Sequence, residues 1–162
     1  MTVPHQYSFR KATIYDLPLL AAWQSNPHVR AWWDSGEPYS AADLADPRVA
    51  RWIVSTRGRP FAFMQDYTVH GWEDHHFFKL PNGSRGIDQF IGEPKMIGLG
   101  HGSAFIGARM RALFDFGVPV IATDPHPANE RAIAVYKKLG FEPIGSPQET
   151  RWGLILPMVA RR

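Results

Sequence analysis

The chain has 162 residues, of which 44% are apolar and 20% are charged, and this composition is typical of one globular domain with a full core. It contains no cysteine, which excludes disulfides, thiolate metal sites and a cysteine nucleophile. The net charge of +3 is small and the Lys and Arg residues are scattered, so no nucleic-acid partner is expected. No apolar run approaches the ~20 residues that span a bilayer, and the first residues lack the apolar core of a signal peptide, so we expect no membrane partner and a cytoplasmic protein.

The N-terminal part of the chain alternates short strand patterns with short helical patterns. Residues 70–85 interrupt this alternation with a polar, aromatic-rich connection that contains Pro81 and an Asn82-Gly83 turn. The predicted elements are a strand at 7–12, a helix at 17–23 capped by Thr13 or Asp16, an amphipathic turn or helix at 28–34, a helix at 40–45, strands at 51–55 and 60–69, and a strand at 86–92.

The C-terminal part of the chain contains the two longest helix patterns. Ile106, Met110 and Leu113 repeat at i, i+4 and i+7 and predict one buried helix face. A second helix pattern at 129–139 ends before Gly140, which suits a C-cap. The other predicted elements are a strand at 118–123 and two closing strands at 141–144 and 151–159, joined by a turn at 145–149. Because strands and helices alternate, the whole chain, residues 1–162, is predicted to be one mixed α/β domain.

A glycine-rich stretch precedes the first long helix. Gly98, Gly100 and Gly102 alternate, and Ser103 follows them. Glycine N–H groups can point inward without Cβ clashes, and the start of a helix carries a partial positive charge, so such a turn can hold a phosphate group. The pattern matches neither the P-loop motif nor the dinucleotide-binding motif G-x-G-x-x-G. The alternative to phosphate binding is a flexible loop before an ordinary helix.

The second long helix carries a polar pair on one face. Asn129 and Tyr136 are seven residues apart, so at ~100° per residue they project in nearly the same direction, about two turns apart. An amide and a phenol would then face the same ligand. The alternative is that Asn129 caps the helix and that Tyr136 is a core residue with its hydroxyl satisfied locally.

These two segments together resemble the GNAT superfamily of N-acetyltransferases. The G-x-G-x-G loop after a strand is similar to the coenzyme A pyrophosphate loop of that family, although Ile97 stands where Arg or Gln is usual. The segment N-x-x-A-x-x-x-Y-x-K-x-G-F at 129–141 is similar to the other diagnostic segment, and the resemblance covers residues 7–159. It implies a single-domain fold with a mixed central sheet of six to seven strands, splayed between the fourth and fifth strands, with helices on both faces.

A closer resemblance is to the aminoglycoside 6'-N-acetyltransferases. It rests on Trp32-Trp33, the Arg85-Gly-Ile-Asp88-Gln89 stretch, the glycine loop, and the run from Thr123 through Asp124 to Asn129. The implied reaction is direct transfer of an acetyl group from acetyl-CoA to a primary amine, the 6'-amine of an aminoglycoside or a related amine, without an acyl-enzyme.

The resemblance also implies a role for each cofactor-binding residue. The backbone of one central strand would bond the pantetheine arm, the glycine loop would hold the pyrophosphate, and Tyr136 would protonate the departing thiolate. The implied contacts to acetyl-CoA are Phe90, Ile91, Gly98, Gly100, His101, Gly102, Ser103, Asn129 and Tyr136.

Acids and aromatic residues are implied on the amine side. Asp88 would deprotonate or bind the substrate ammonium, and Asp124 follows a strand at its C-terminal end, where α/β sites usually lie. Trp33, Trp72 and Asp74 would contact a polycationic sugar, since acids supply charge-assisted hydrogen bonds and aromatic rings supply a stacking face. The alternatives are a strand-end Asp88 bonded to loop amides, Asp124 as an N-cap, and Asp74 as a solvated loop charge.

The segment before Asp88 departs from the aminoglycoside pattern. It is longer than expected, and His70, His75 and His76 replace some of its acids, which should weaken the binding of a polycation. The adjacent His75 and His76 would face opposite ways in a strand. With no cysteine and no H-x-x-x-H helix, we expect no metal.

Two other functions remain open at this stage. Residues 28–33 are reminiscent of a His-x-x-x-Trp-like stretch in acyl-CoA N-acyltransferases of siderophore or lysine-derived amine biosynthesis. A non-catalytic module that binds CoA or an aminoglycoside is the alternative of another class. A monomer or a homodimer is expected.

Overall fold

The computed structural model describes residues 6–33 and 36–162. Its helices are α1 (Leu17–Gln24), α2 (Pro27–Arg30), α3 (Ala41–Ala45), α4 (His101–Asp115) and α5 (Glu130–Lys138), with 3₁₀ turns at Ile14–Asp16 and Pro94–Met96. Its strands are β1 (Tyr7–Lys11), β2 (Val49–Thr56), β3 (Arg59–Thr68), β4 (Arg85–Ile91), β5 (Val120–Thr123), β6 (Glu142–Pro143), β7 (Gln148–Thr150), β8 (Gly153–Ile155) and β9 (Met158–Arg161).

The strands form one mixed sheet in the order β1-β2-β3-β4-β5-β9-β6, which confirms the predicted α/β class and strand number. β4 and β5 are parallel, and their paired residues are Arg85 with Ile121 and Gly86 with Ala122. β4 continues to Ile91 beyond this short register, so the predicted splay between the fourth and fifth strands is confirmed.

The C-terminal strands differ from the prediction. The expected strand at 151–159 is two strands, β8 and β9, and the expected turn at 145–149 contains the start of β7. β7 pairs with β8 in a separate hairpin, whereas β6 pairs with β9 in the main sheet. Pro157, which lies between β8 and β9, lacks the N–H that a continuous strand would need, so the break has a simple physical cause.

The helix-start signals were read correctly for the short helices. Ser40 caps α3 with a capping box to Asp43, and Thr13 forms a capping box with Asp16 at the 3₁₀ turn before α1. The predicted segment at 28–34 overlaps α2, which begins one residue earlier, and residue 34 of the segment lies outside the described residues.

Contacts divide the described chain into two compact units, and the prediction of one domain stays a prediction. The first unit comprises residues 6–33, 36–65 and 89–101. In it α1 contributes Leu20 and Trp23 to a buried cluster with Ile53 of β2 and Phe63 of β3. This apolar face holds α1, whose own length of eight residues is too short for independent stability.

The second unit comprises residues 66–88 and 102–162. The predicted helix face is buried here, since Ile106, Met110 and Leu113 of α4 are each at most 5% exposed. α5 begins after Asn129 and ends before Gly140, whose φ of 100° is the left-handed conformation that favours glycine at a C-cap. No helix within the described ranges is long and apolar enough to cross a membrane.

Gly92 gives a test of the packing in the first unit. A Cβ on Gly92 would overlap the indole ring of Trp23, which is 2% exposed and has no space to move into. We therefore expect Gly92→Ala to lower the free energy of unfolding by about 1–3 kcal/mol, measured by urea denaturation. Gly36→Ala is the control, because a Cβ at Gly36 meets nothing within 4 Å. Equal stability of the two variants would contradict the packing described.

Candidate active site

The glycine loop leads directly into α4. Gly98 has φ 79° and Gly100 has φ 85°, so both adopt the left-handed conformation that a side chain disfavours. The sequence had suggested that Gly102 and Ser103 precede the helix. The helix instead begins at His101, so both residues lie in its first turn. The start of a helix carries a partial positive charge, so the backbone N–H groups at 101–103 lie where an anion is favoured.

His101 is fixed by the first strand. Its side chain is 5% exposed, its Nδ1 lies 2.8 Å from the Tyr7 hydroxyl, and its ring lies 5.3 Å from that of Phe61. Burial raises the pKa of Tyr7, so this phenol stays protonated at neutral pH. The side chain of His101 is therefore occupied in the core, which leaves its backbone as the part that a ligand can use.

The end of β4 is anchored by side chains from the α1–α2 region. The carbonyl of Ile91 lies 2.7 Å from Nε2 of His28, and the carbonyl of Gly92 accepts a hydrogen bond from Asn26 at 3.0 Å. The ring of Phe90 stacks on Phe63 at 5.3 Å. The carbonyl of Ile91 and the ring of Phe90 thus already have partners within the chain, and the predicted contacts of Phe90 and Ile91 to acetyl-CoA stay predictions.

The predicted substrate residue Trp33 also makes core contacts. Its ring lies 4.9 Å from that of Phe90 and 6.0 Å from that of Phe63, both edge-on. Its predicted role in binding the amine stays a prediction, while its role in packing is visible.

Asp88 and Asp124 occupy equivalent positions on two parallel neighbours. Each stands two residues beyond the last registered pair, Gly86 with Ala122. Asp124 directly follows β5, whereas Asp88 lies inside β4, which continues to Ile91, so both acids lie just beyond the point where the two strands stop pairing. In α/β proteins, ligands bind at the carboxyl ends of the parallel strands, where β5 ends. The sequence predicted both acids, and the register gives the reason that they belong together.

His76 contacts Asp124 and lies within the electrostatic influence of Asp88. Its Nε2 lies 2.9 Å from Oδ2 of Asp124, with side chains 6% and 16% exposed. Burial lowers the pKa of His76, while the negative charge of Asp88 opposes that shift. The sequence analysis treated His76 only as a possible metal ligand or as a residue standing in place of an acid. No periodicity in residues 70–85 could have shown its contact with Asp124.

An aromatic cluster lies beside His76, and we call it the aromatic cluster throughout; it comprises Tyr67, Trp72, His75 and Trp152. The ring of Trp72 is 5.7 Å from His75 and 6.3 Å from Trp152, and His75 lies 5.4 Å from Tyr67. Burial lowers the pKa of His75 to about 4, so its ring is neutral at pH 7. Trp152 was missed from the sequence because it lies far along the chain, in the turn of the β7–β8 hairpin.

His75 and His76 do not lie in a strand, where they would face opposite ways, and their side chains lie together. The rings of His75 and His76 stack at 4.2 Å with an interplanar angle of 23°. Opposite facing requires an extended strand, and this segment is a series of turns. Within residues 6–33 and 36–162, no group of three or more His, Cys, Asp or Glu side chains is arranged to hold a metal ion.

Asp74 is paired with a cation of the chain itself. Its Oδ1 accepts a hydrogen bond from Arg151 at 2.9 Å, and the Arg151 guanidinium lies 4.3 Å from the centre of the Trp152 ring. The side chain of Asp74 is 75% exposed, so the pair is accessible to water. An ammonium of a substrate would have to compete with Arg151 for this acid.

Asn129 and Tyr136 stand at the start and in the last part of α5. The Asn129 side-chain oxygen accepts a hydrogen bond from the Ala132 N–H at 3.2 Å, so the cap that was weighed as an alternative is present. Tyr136 is 6% exposed and its ring meets that of Phe141 edge-on at 5.3 Å. Their predicted contacts to acetyl-CoA stay predictions.

Comparison with known proteins identifies the family. Residues 13–148 match the acetyltransferase (GNAT) domain family. The aminoglycoside N(6')-acetyltransferase type 1 of Klebsiella pneumoniae is 34% identical, over 86% of this chain and 75% of that protein. The structure of AAC(6')-Ib with ribostamycin and coenzyme A aligns with a TM-score of 0.83 at 32% identity, over 97% of this chain and 94% of that one. The structure of AAC(6')-Ib with acetyl-CoA aligns with the same score, identity and coverage. The chain belongs to the GNAT family of acetyltransferases.

Proposed function

We propose that this protein transfers an acetyl group from acetyl-CoA to a primary amine, the 6'-amine of an aminoglycoside or a related amine. The family and the named activity of its relatives support the reaction type. The observation that carries the choice of substrate is the acid pair Asp88 and Asp124 beside the aromatic cluster, which all lie in one unit.

The acid pair suits a cationic amine. Two carboxylates at one sheet edge attract an ammonium group, and partial burial strengthens that attraction because less water screens it. Aromatic rings next to the acids offer apolar faces on which a sugar ring or a cationic group can stack. An aminoglycoside carries both features.

The glycine loop suits the diphosphate of acetyl-CoA. Among the described residues other than its two chain neighbours, no atom lies within 4 Å of a Cβ placed on Gly100, so a ligand can enter the space on that side. The N–H groups of Gly102 and Ser103 lie in the first turn of α4, where an anion also gains from the helix dipole. Bound there, acetyl-CoA supplies the activated acetyl group as its thioester.

Two residues of the second unit supply the proton transfers of the proposed reaction. Asp88 accepts a proton from the substrate ammonium, which frees the lone pair of the amine nitrogen to form the new C–N bond. Tyr136 donates its phenolic proton to the sulfur as the C–S bond breaks and CoA leaves as the free thiol. The nitrogen then loses its second proton to water, and water returns a proton to Tyr136, so the net proton released is the one that Asp88 accepted. No acyl-enzyme is needed, which agrees with the lack of cysteine in the sequence.

The reaction is tested directly with the purified protein, acetyl-CoA and kanamycin. We expect release of free thiol with one equivalent of acetylated kanamycin, and NMR of the product should place the acetyl group on the 6'-nitrogen. Absence of thiol release over a broad panel of amines would overturn the proposal, and acetylation at another nitrogen would overturn the regiochemistry.

Tyr136→Phe tests the proton donor. Losing a general acid costs at least roughly 100-fold in rate, so we expect kcat to fall by about that factor while the affinity for CoA stays unchanged. Tyr15→Phe serves as the control, since Tyr15 is 88% exposed. An unchanged kcat in Tyr136→Phe would assign the proton to water instead.

Asp88→Asn tests the proton acceptor. The amide cannot take a proton at neutral pH, so kcat/KM for the amine should fall by about 100-fold or more, as steady-state kinetics would measure. Asp115→Asn removes the same charge from the exposed end of α4 and should leave kcat/KM nearly unchanged. Equal effects of the two substitutions would show that Asp88 acts only through net charge.

Gly100→Val tests the phosphate cradle. Valine at φ 85° is strained and its side chain enters the open space beside the loop, so CoA should bind at least about tenfold more weakly by calorimetry. Gly58→Val is the matched control, because Gly58 has φ 75° and also meets nothing within 4 Å, but it lies in the β2–β3 turn. Unchanged CoA affinity in Gly100→Val would mean that the loop is misassigned.

A further inference from the structure

His76 is a buried titratable group that the proposed reaction does not use. Its side chain is 6% exposed, and its Nε2 makes a 2.9 Å contact with Oδ2 of Asp124. Its ring stacks on that of His75 at 4.2 Å and lies 4.5 Å from the tilted ring of Phe77. Packing on this scale fixes the orientation of the imidazole, and the imidazole in turn constrains the carboxylate.

The contact with Asp124 defines the tautomer of His76. A carboxylate at neutral pH can only accept hydrogen bonds, so Nε2 must carry the hydrogen and donate it. Burial lowers the pKa of His76 below its ordinary range, so the ring is neutral at pH 7. The pair is therefore a neutral donor on a charged acceptor, which leaves the negative charge of Asp124 in place.

We propose that His76 is a positioning residue for amine binding, which holds the Asp124 carboxylate in the orientation that meets the substrate ammonium. This inference rests on the proposed function, since it assigns Asp124 to the amine. It adds a residue that supplies no atom to the reaction and acts through its neighbour.

A second consequence concerns charge. With His76 neutral, Asp88 and Asp124 present two negative charges to a cation. A proton on His76 would cancel one of them and weaken the attraction of an ammonium. The charged and titratable groups around His76 are Asp124 after β5, Asp88 on β4 and the adjacent His75. Asp74 and Arg151, the latter from the β7–β8 hairpin, act electrostatically on His75.

Two substitutions separate the hydrogen bond from the charge. His76→Gln keeps an N–H donor near the position of Nε2 but cannot be protonated, whereas His76→Leu removes the donor and keeps an apolar side chain. Calorimetric titration of kanamycin into the protein saturated with CoA measures amine affinity without turnover. A hydrogen bond to a charged group accounts for roughly a tenfold change in affinity. At pH 7.5 we therefore expect His76→Leu to bind about tenfold more weakly and His76→Gln within about threefold of the unsubstituted protein.

The pH dependence isolates the charge. As the pH falls from 7.5 to 5.0, the unsubstituted protein should lose affinity for kanamycin more steeply than His76→Gln, because only the histidine gains a proton. Because the pKa of His76 is lowered from the ordinary histidine value of 6.5, the kanamycin affinities of the two proteins should begin to differ only below pH 6.5. His75, whose pKa is about 4, is common to both proteins and cancels in the comparison.

Steady-state kinetics and CoA affinity provide the remaining readouts. A positioning role predicts that His76→Leu raises KM for the amine with kcat changed by less than about threefold, and that CoA binding is unchanged. A purely structural role would instead weaken CoA binding and amine binding together. Amine affinity within twofold for His76→Leu, or identical pH profiles for the unsubstituted protein and His76→Gln, would overturn the inference.

The two proposals fail in different ways. If kanamycin binds with the expected His76 dependence but no acetyl group is transferred, the inference holds and the proposed reaction fails. If transfer occurs while both His76 variants behave as the unsubstituted protein does, the reaction holds and the inference fails. If the unsubstituted protein does not bind kanamycin at all, both are overturned.

Discussion

The short parallel pairing of β4 with β5 is the constraint on which the rest of the proposed chemistry depends. The two strands pair only at Arg85 with Ile121 and at Gly86 with Ala122. In each chain segment an acid follows two residues beyond the last paired residue. Both carboxylates therefore lie at the same distance along the chain from the last paired residues, although β4 continues past Asp88 and β5 ends before Asp124. A longer pairing would have filled this edge with ladder hydrogen bonds and left no backbone groups for a ligand.

Charge at the acid pair is managed by neighbours of different kinds. His76 donates to Asp124 as a neutral group and keeps the carboxylate charged, whereas Arg151 pairs with Asp74 and cancels its charge. The first contact is mostly buried and the second is exposed, so the first matters more for orientation and the second is more easily displaced. The acids that we propose to bind the amine therefore differ in their availability to a cation.

The family, the reaction and most elements could be predicted because they depend on local patterns. The glycine alternation and the Asn129–Tyr136 spacing are contained within single segments, and the buried face of α4 follows from its own periodicity. The C-terminal strands were predicted less well, since two short strands separated by Pro157 read as one apolar run. The roles predicted for Asp88 and Asp124 stay predictions, and the sequence showed neither the contact of His76 with Asp124 nor the place of Trp152 beside His76.

By itself, the sequence determined that a glycine-rich stretch leads into a helix, that Asn129 and Tyr136 share one face of the second long helix, and that one acid lies in a strand while another follows the next strand. Such features are set by neighbours along the chain, through backbone conformation and the repeat of the helix. Only the tertiary structure decided that His76 meets Asp124, that His101 is held by Tyr7, and that Arg151 occupies Asp74. These contacts join residues 48, 94 and 77 positions apart, and their choice depends on strand register and turn geometry, which no local pattern encodes.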